Sequence, residues 1–269
     1  MNVSKITLIA SVLAIVMLPA FVSCTVLEDR TPCPGQLIVD IRAIHQMMEE
    51  GTMRLDVLSS DGATVASRLA STAGTDTLLF VLPKTEYTIC AAAGQSNTDF
   101  SSDGNVRCSS GSAMDAVYAL VDKVRVEGEF TGFECDFRRQ FANVTVAFNI
   151  SPRHERFPDS LSVISKWNGI DIHTMHPVSG DYGHTFVCTG IEQTFRVLHQ
   201  GDDSLLLRLI SRTKGVVDDV PLGRFLALAG YSWEDENLKD IRIEIDEASA
   251  KIRIIILDWM DGEPLVVEI

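Results

Sequence analysis

The chain has 269 residues, 37 of them acidic and 23 basic, for a net charge of −14 at neutral pH. That balance disfavours nucleic acid and anionic lipid headgroups as partners, because an acidic surface repels both. A hydrophobic share of 46% is enough for a buried core, so the chain is expected to form two domains of ordinary size and not a disordered tail.

The N-terminus carries Lys5 as its one early charge, then a mostly apolar run from Ile6 to Val22, then Ser23 and Cys24. A positive start, an apolar stretch and small residues at a cut site make up a secretory signal. A membrane span needs about 20 unbroken apolar residues. This run is shorter and is interrupted by Pro19, so cleavage is expected. Phe21-Val22-Ser23-Cys24 is similar to the lipobox cut by signal peptidase II, with Phe21 where Leu or Val is usual. It implies a signal peptide over 1–23, a lipid on Cys24 and a lipidated tether over 24–34. Acyl chains hold a protein at a membrane because each buried methylene adds about 0.8 kcal/mol. Acylation of Cys24 leaves Cys33, Cys90, Cys108, Cys135 and Cys188, an odd set for an oxidising compartment, so at least one thiol should be free.

From Leu37 onward apolar residues alternate with polar ones, with β-branched and aromatic side chains between Gly, Asp, Asn and Pro breaks. Strands are predicted at Gln36–Ile41, Met53–Leu58, Ala63–Arg68, Thr77–Leu82, Glu86–Ala91, Tyr118–Phe130, Phe133–Arg139 and Ala142–Ile150. Further strands are predicted at Leu161–Trp167, Gly183–Cys188, Thr194–His199, Ser204–Arg212, Asp240–Ile245 and Lys251–Trp259. Ala43–Glu50 and Pro221–Ala229 are short helical candidates. The clearest local feature is the hairpin in which Met53–Leu58 meets Ala63–Ala66 across Ser59-Ser60-Asp61-Gly62, since Asp-Gly suits a tight primed turn. Many short strands between turn signals predict an all-β protein of sandwich domains and not an enzyme with crossover helices. The seam is expected near Gly128–Phe133, giving sandwiches over 35–131 and 132–269.

Cys90 and Cys108 flank a polar loop containing Gln95, Ser96 and Asn97, and a disulfide between them would close it. At the C-terminus Asp261-Gly262 signals a turn before Leu265, Val266, Val267, Glu268 and Ile269. That segment either folds back as the last hairpin strand or leaves to pair with a neighbour's sheet.

No pattern points to catalysis, a cofactor or a small-molecule substrate. His173, His176 and His184 with Asp171 and Asp181 are the densest set of metal-ligand types, but Pro177 and Gly180 place them in a loop without a zinc-site spacing. Asp99, Ser101, Asp103 and Gly104 match the first half of a calcium loop, yet Ser110 stands where a bidentate Glu is needed. No nucleophile elbow, phosphate loop or dinucleotide fingerprint occurs, and the paired acids Asp202-Asp203 and Asp218-Asp219 are adjacent, which in a strand sends them to opposite faces.

Three stretches together resemble the FimB-type anchor lipoproteins that hold fimbriae to the outer membrane in Bacteroidota. The first is Cys24 followed by Glu28-Asp29-Arg30-Thr31-Pro32-Cys33 and a strand. The second is the strand, Asp-Gly turn and strand from Leu55 to Val65. The third is Leu82-Pro83-Lys84-Thr85-Glu86-Tyr87-Thr88-Ile89-Cys90-Ala91-Ala92-Ala93-Gly94, with Thr85 where that family has Gly and Ala92 where it has Trp. The resemblance covers residues 20–150, the remainder by general pattern only. It implies two tandem transthyretin-like β-sandwiches, a lipid-anchored place on the outer membrane, and fimbrial stalk subunits as partners in anchoring and assembly. The rival reading is a surface glycan-binding lipoprotein for nutrient uptake, with aromatic platforms on its sandwiches. Against it, Trp167, Trp233 and Trp259, the only tryptophans, are scattered along the sequence.

Overall fold

Period-two patterning becomes strand almost throughout. The computed structural model describes residues 33–150, 157–211, 215–236, 238–246, 251–257 and 265–268. Its first half holds β1 (Gly35–Asp40), the short helix α1 (Arg42–Met47), β2 (Thr52–Leu58), β3 (Thr64–Ser71), β4 (Thr77–Leu82), β5 (Glu86–Gly94), β6 (Thr98–Phe100), β7 (Asn105–Cys108), β8 (Tyr118–Arg125), β9 (Phe130–Glu134) and β10 (Arg138–Arg139). Its second half holds β11 (Phe141–Phe148), β12 (Ser160–Asp171), β13 (Pro177–Val187), β14 (Glu192–Leu198), β15 (Leu206–Ser211), β16 (Gly215–Val220), the helix α2 (Leu222–Leu228), β17 (Asp240–Asp246), β18 (Lys251–Leu257) and β19 (Leu265–Glu268).

The strands form four sheets in an all-β sandwich architecture. Sheet 1 has the order β4–β1–β9 and sheet 2 the order β10–β8–β5–β2–β3. Leu37, Val39, Phe80 and Leu82 of sheet 1 bury against Met53, Leu55, Tyr87 and Ile89 of sheet 2. Sheet 3 has the order β14–β11–β17–β18–β19, and sheet 4 the order β16–β15–β12–β7–β6 with β13 also on β12. Their shared core includes Val144, Val146, Phe195 and Ile243 from sheet 3 and Leu161, Val163, Leu207 and Val106 from sheet 4. Burial of such a side chain contributes about 1.5–3 kcal/mol.

Two departures from the expected strands matter. Residues 95–111, too polar to be read as strand, form the β6–β7 hairpin, and its Asn105–Arg107 pairs with Gly169–Asp171 at the end of β12. Asp115 fixes that hairpin by accepting the Asn97 N–H at 2.7 Å and the Thr98 hydroxyl at 2.9 Å. The expected run Tyr118–Phe130 ends at Arg125, and the residues 131 and 132 of the expected seam lie inside β9, parallel to β1 with Leu37 opposite Thr131. Sheet pairing therefore crosses that position in both directions.

The central strands β2 and β5 of sheet 2 bury both of their faces. Leu55, Val57, Ile89 and Ala91 face the first core, whereas Leu58, Cys90 and Ala92, from the alternate positions, join the core of sheets 3 and 4. Arg54 and Asp56 share that second face and are 9% and 0% exposed. The Arg54 Nε donates to both Asp56 oxygens at 3.0 Å, and its terminal nitrogens donate to the carbonyls of Ser101 and Ser102 in the β6–β7 turn. Asp56 also accepts the Ser67 hydroxyl from β3 at 2.5 Å, and His173 Nε2, from the β12–β13 turn, stands 2.9 Å from its Oδ2. The His173 ring lies against Gly104, where a Cβ would come within 2.7 Å of it and where φ is +86°. One carboxylate thus ties together four segments.

Removing one partner of a buried ion pair leaves the other charge uncompensated, at a cost of about 3–5 kcal/mol. Asp56→Ala is expected to lower Tm by about 10 °C, at about 2–4 °C per kcal/mol for a chain of this size. The double variant Arg54→Met/Asp56→Leu should recover much of that loss by burying no charge. Thermal melts of the two variants check this, and equal losses would show that the clamp is not electrostatic.

Candidate functional site

The described surface offers strand edges and one apolar sheet face. In sheet 1, register sets Leu79 opposite Ile38, and Val81 and Phe130 on either side of Gln36, all on the face away from the core. Leu79, Val81 and Phe130 are 51%, 62% and 66% exposed. A clustered apolar face of this kind is where soluble proteins meet partners. The outer edge of β13 is partly covered, because its Gly183 carbonyl accepts the Gly111 N–H at 2.8 Å and its Gly183 N–H donates to Ser110 Oγ at 3.1 Å. Among the described strands β3 pairs only with β2, so it leaves one backbone edge unpaired within the chain. Such an edge can accept another strand.

Leu265–Glu268 forms the outermost strand of sheet 3, with Leu265 opposite Ile256 and Glu268 opposite Arg253. Of the two alternatives expected for the chain end, the structure has the hairpin, and a donor role requires that pairing to be given up. Ile269 and Cys24 lie outside the described residues.

Cys90 and Cys108, expected as a disulfide, are free thiols, as are Cys33, Cys135 and Cys188. Cys90 sits mid-strand in sheet 2 opposite Asp56 and Val121, and Cys108 ends β7 opposite Thr98, so they occupy two different sheets within one core. Burial pushes the Cys90 thiol up to about 12, with Asp56 and Asp171 adding to it, and pushes Cys108 up to about 11. Both behave as small apolar groups in that state.

The residues weighed as metal ligands are spread apart. His173 serves the clamp, and its N–H donates to Asp171 Oδ1 at 2.8 Å. His184 Nδ1 lies 2.8 Å from the Gly111 carbonyl, and His176 and Asp181 are exposed. Asp103 accepts the Ser101 hydroxyl and the Asn105 side chain, which makes residues 101–105 a self-satisfied turn. Asp219 is bidentate to Arg208 at 2.7 and 2.9 Å. Among the described residues no three His, Cys, Asp or Glu side chains converge as metal ligands. No described helix is long and apolar enough to cross a membrane.

The clamp escaped sequence reasoning because Arg54 and Asp56, alternating with Met53, Leu55 and Val57, look like the solvent face of a strand. The one signal for it is the i, i+2 placement of opposite charges on an otherwise apolar strand.

No protein-family model matches the chain, and no curated protein matches it. Solved structures do. The fimbrial anchor protein Mfa2 from Porphyromonas gingivalis superposes with a TM-score of 0.59 at 13% identity, over 87% of this chain and 99% of that one. A candidate polysaccharide-binding protein from Bacteroides thetaiotaomicron gives 0.60 at 14% identity, over 88% and 98%. A candidate adhesin from the same species gives 0.56 at 13% identity, over 85% and 97%. At identities this low, the superpositions show a shared fold alone.

Two outcomes follow from the site geometry. Cys90 and Cys108 should resist iodoacetamide in the native protein and react once it is unfolded; peptide mapping that finds them joined would instead restore the disulfide. Deleting Leu265–Ile269 strips the partner from β18 and should lower Tm by several degrees, at about 2–4 °C per kcal/mol lost. Unchanged melting would place that segment outside its own sheet.

Proposed function

We propose that this chain is a lipid-anchored surface subunit that holds a fimbria at the outer membrane and helps its assembly through strand pairing. The observation that carries the reading is the end-to-end match to a fimbrial anchor protein, over 87% of this chain and 99% of that one, on a fold whose strand β3 has an unpaired edge. A β-sandwich with open edges is suited to joining a polymer, because main-chain hydrogen bonds at an edge supply affinity and alternate side chains supply register. Head-to-tail contacts of that kind do not close on themselves, as a filament requires. The exposed Leu79, Val81 and Phe130 add an apolar face beside the edges β4 and β9 of sheet 1.

The acidic chain, at −14, gains nothing from anionic headgroups, so its hold on the membrane falls to the acyl chains on Cys24. Its role in this reading is mechanical and not catalytic. The tether stays at the membrane while the folded part engages a stalk subunit.

The test is Cys24→Ala in a fimbriated strain, with metabolic labelling by an alkynyl fatty acid. The variant should lose the label, leave the membrane fraction and shed fimbriae into the medium. Label retained on the variant, or fimbriae still cell-bound after the protein is released, would refute the anchor.

A further inference from the structure

The second pair of sheets brings Trp167 onto a loop more than thirty residues further along the chain. On β12 the register slips on both sides of Trp167, between Ser165 and Trp167 and again between Trp167 and Gly169. A bulge of this kind re-aims a side chain out of the regular pleat. Trp167 is turned onto the loop that joins β14 to β15, and its ring packs on Gly201, where a Cβ would sit 2.6 Å from Cζ2. Buried polar bonds hold the bulge and the loop in place. The Trp167 N–H donates to Ser165 Oγ at 2.8 Å, the Ser165 hydroxyl donates to Gln200 Oε1 at 2.5 Å, and the Gln200 amide donates to the Leu198 carbonyl at 2.7 Å. Any side chain at residue 201 would displace the indole.

Polar groups line the same loop. His199 is 6% exposed, and its Nε2 is buried without a hydrogen bond, 4.0 Å from a carboxylate oxygen of Glu234, whose side chain is 79% exposed. Burial holds the imidazole below its ordinary pKa, against the pull of Glu234. Beside Glu234 in the chain, Trp233 is partly buried and meets Tyr231 edge to face, with ring centroids 4.9 Å apart. At the other end of the loop the exposed Asp202 accepts the Ser204 N–H at 2.9 Å. Ser204 first, and then Trp167 and Lys166 against a burial penalty, hold its carboxyl below the ordinary range.

A buried imidazole nitrogen without a partner is costly unless something completes it. The Glu234 carboxylate, 4.0 Å away on an exposed side chain, stands beyond hydrogen-bond distance. Indole faces bind the C–H faces of pyranose rings, and carboxylates and imidazoles accept from or donate to vicinal hydroxyls. We propose that Trp167, His199, Asp202 and Glu234 form a binding site for a neutral saccharide. The Trp167 indole stacks the sugar, the carboxylates accept its hydroxyl protons, and His199 completes its bonding with a sugar hydroxyl as Glu234 swings aside. Ionised Asp202 and exposed Glu234 repel uronic and sialic acids, which restricts the class to neutral sugars. The site is separate from the tether and from the apolar face of sheet 1, so it stands whether or not the anchoring reading does.

The experiment titrates the full mature chain with cello-, manno-, xylo- and maltohexaose and with an oligogalacturonate, followed by tryptophan fluorescence and calorimetry. At least one neutral hexaose should bind, and the anionic one should not. Trp167→Ala should weaken binding by at least about tenfold, the loss of about 1.4 kcal/mol. Glu234→Gln lies on an exposed side chain and cannot compromise folding, so it decides the matter if Trp167→Ala melts early; it should weaken binding several-fold with Tm unchanged. The proposal is overturned if no neutral hexaose binds the wild-type chain, if only the anionic probe binds, or if Glu234→Gln binds like wild type. None of these outcomes bears on membrane release by Cys24→Ala, so the two readings fail separately.

Discussion

The architecture depends on two strands, β2 and β5 of sheet 2, that have almost no solvent face. Once sheet 2 is covered on one side by sheet 1 and on the other by the core of sheets 3 and 4, every side chain of its central strands must suit an interior. β5 meets this with Cys90, Ala91, Ala92 and Ala93, small residues that let layers approach closely. β2 cannot, because it carries Arg54 and Asp56. Their mutual bond, extended to Ser67, His173 and the β6–β7 turn, turns what would be two unpaired buried charges into a fixed joint. A joint of this kind is directional, whereas apolar packing is not. It sets the placement of the β6–β7 turn over sheet 2, which packing of alanines alone would leave loosely defined.

How much of this could be read in advance depends on how local the cause is. The β2–β3 hairpin was legible because everything it needs lies within five residues: the Ser59 N–H and the Ala63 carbonyl close the turn at 2.9 Å, and Asp61 caps it from inside. Both short helices were legible from composition. The β6–β7 hairpin was not, because its strands are short and polar and acquire strand geometry only from β12, some sixty residues later. Likewise β13 begins at Pro177, ahead of the expected Gly183, because β12 continues past Trp167 and offers it a partner.

The candidate sites divide in the same way. Cys24, proposed to carry the lipid, is defined by its own neighbours in sequence, whereas the loop at 199–202 is assembled from three distant segments and has no signature in any of them. The bulge in β12 and the glycine at 201 show how the fold sets Trp167 on a loop that lies far from it in sequence. The paired thiols failed for the converse reason: Cys90 and Cys108 seemed to close one loop, but the chain between them leaves sheet 2 to enter sheet 4.

The parallel pairing of β1 with β9, and the antiparallel pairing of β7 with a strand as late as β12, bear on how the protein comes to be folded. A chain emerging from its N-terminus presents β1 long before Phe130–Glu134 arrives to flank it, and presents Asp56 long before His173 does. Contacts of such high sequence separation form late and slowly. The early strands must therefore wait with their edges bare, in the state most prone to wrong pairing. The interval between emergence and closure is therefore when a foreign strand competes best with the chain's own.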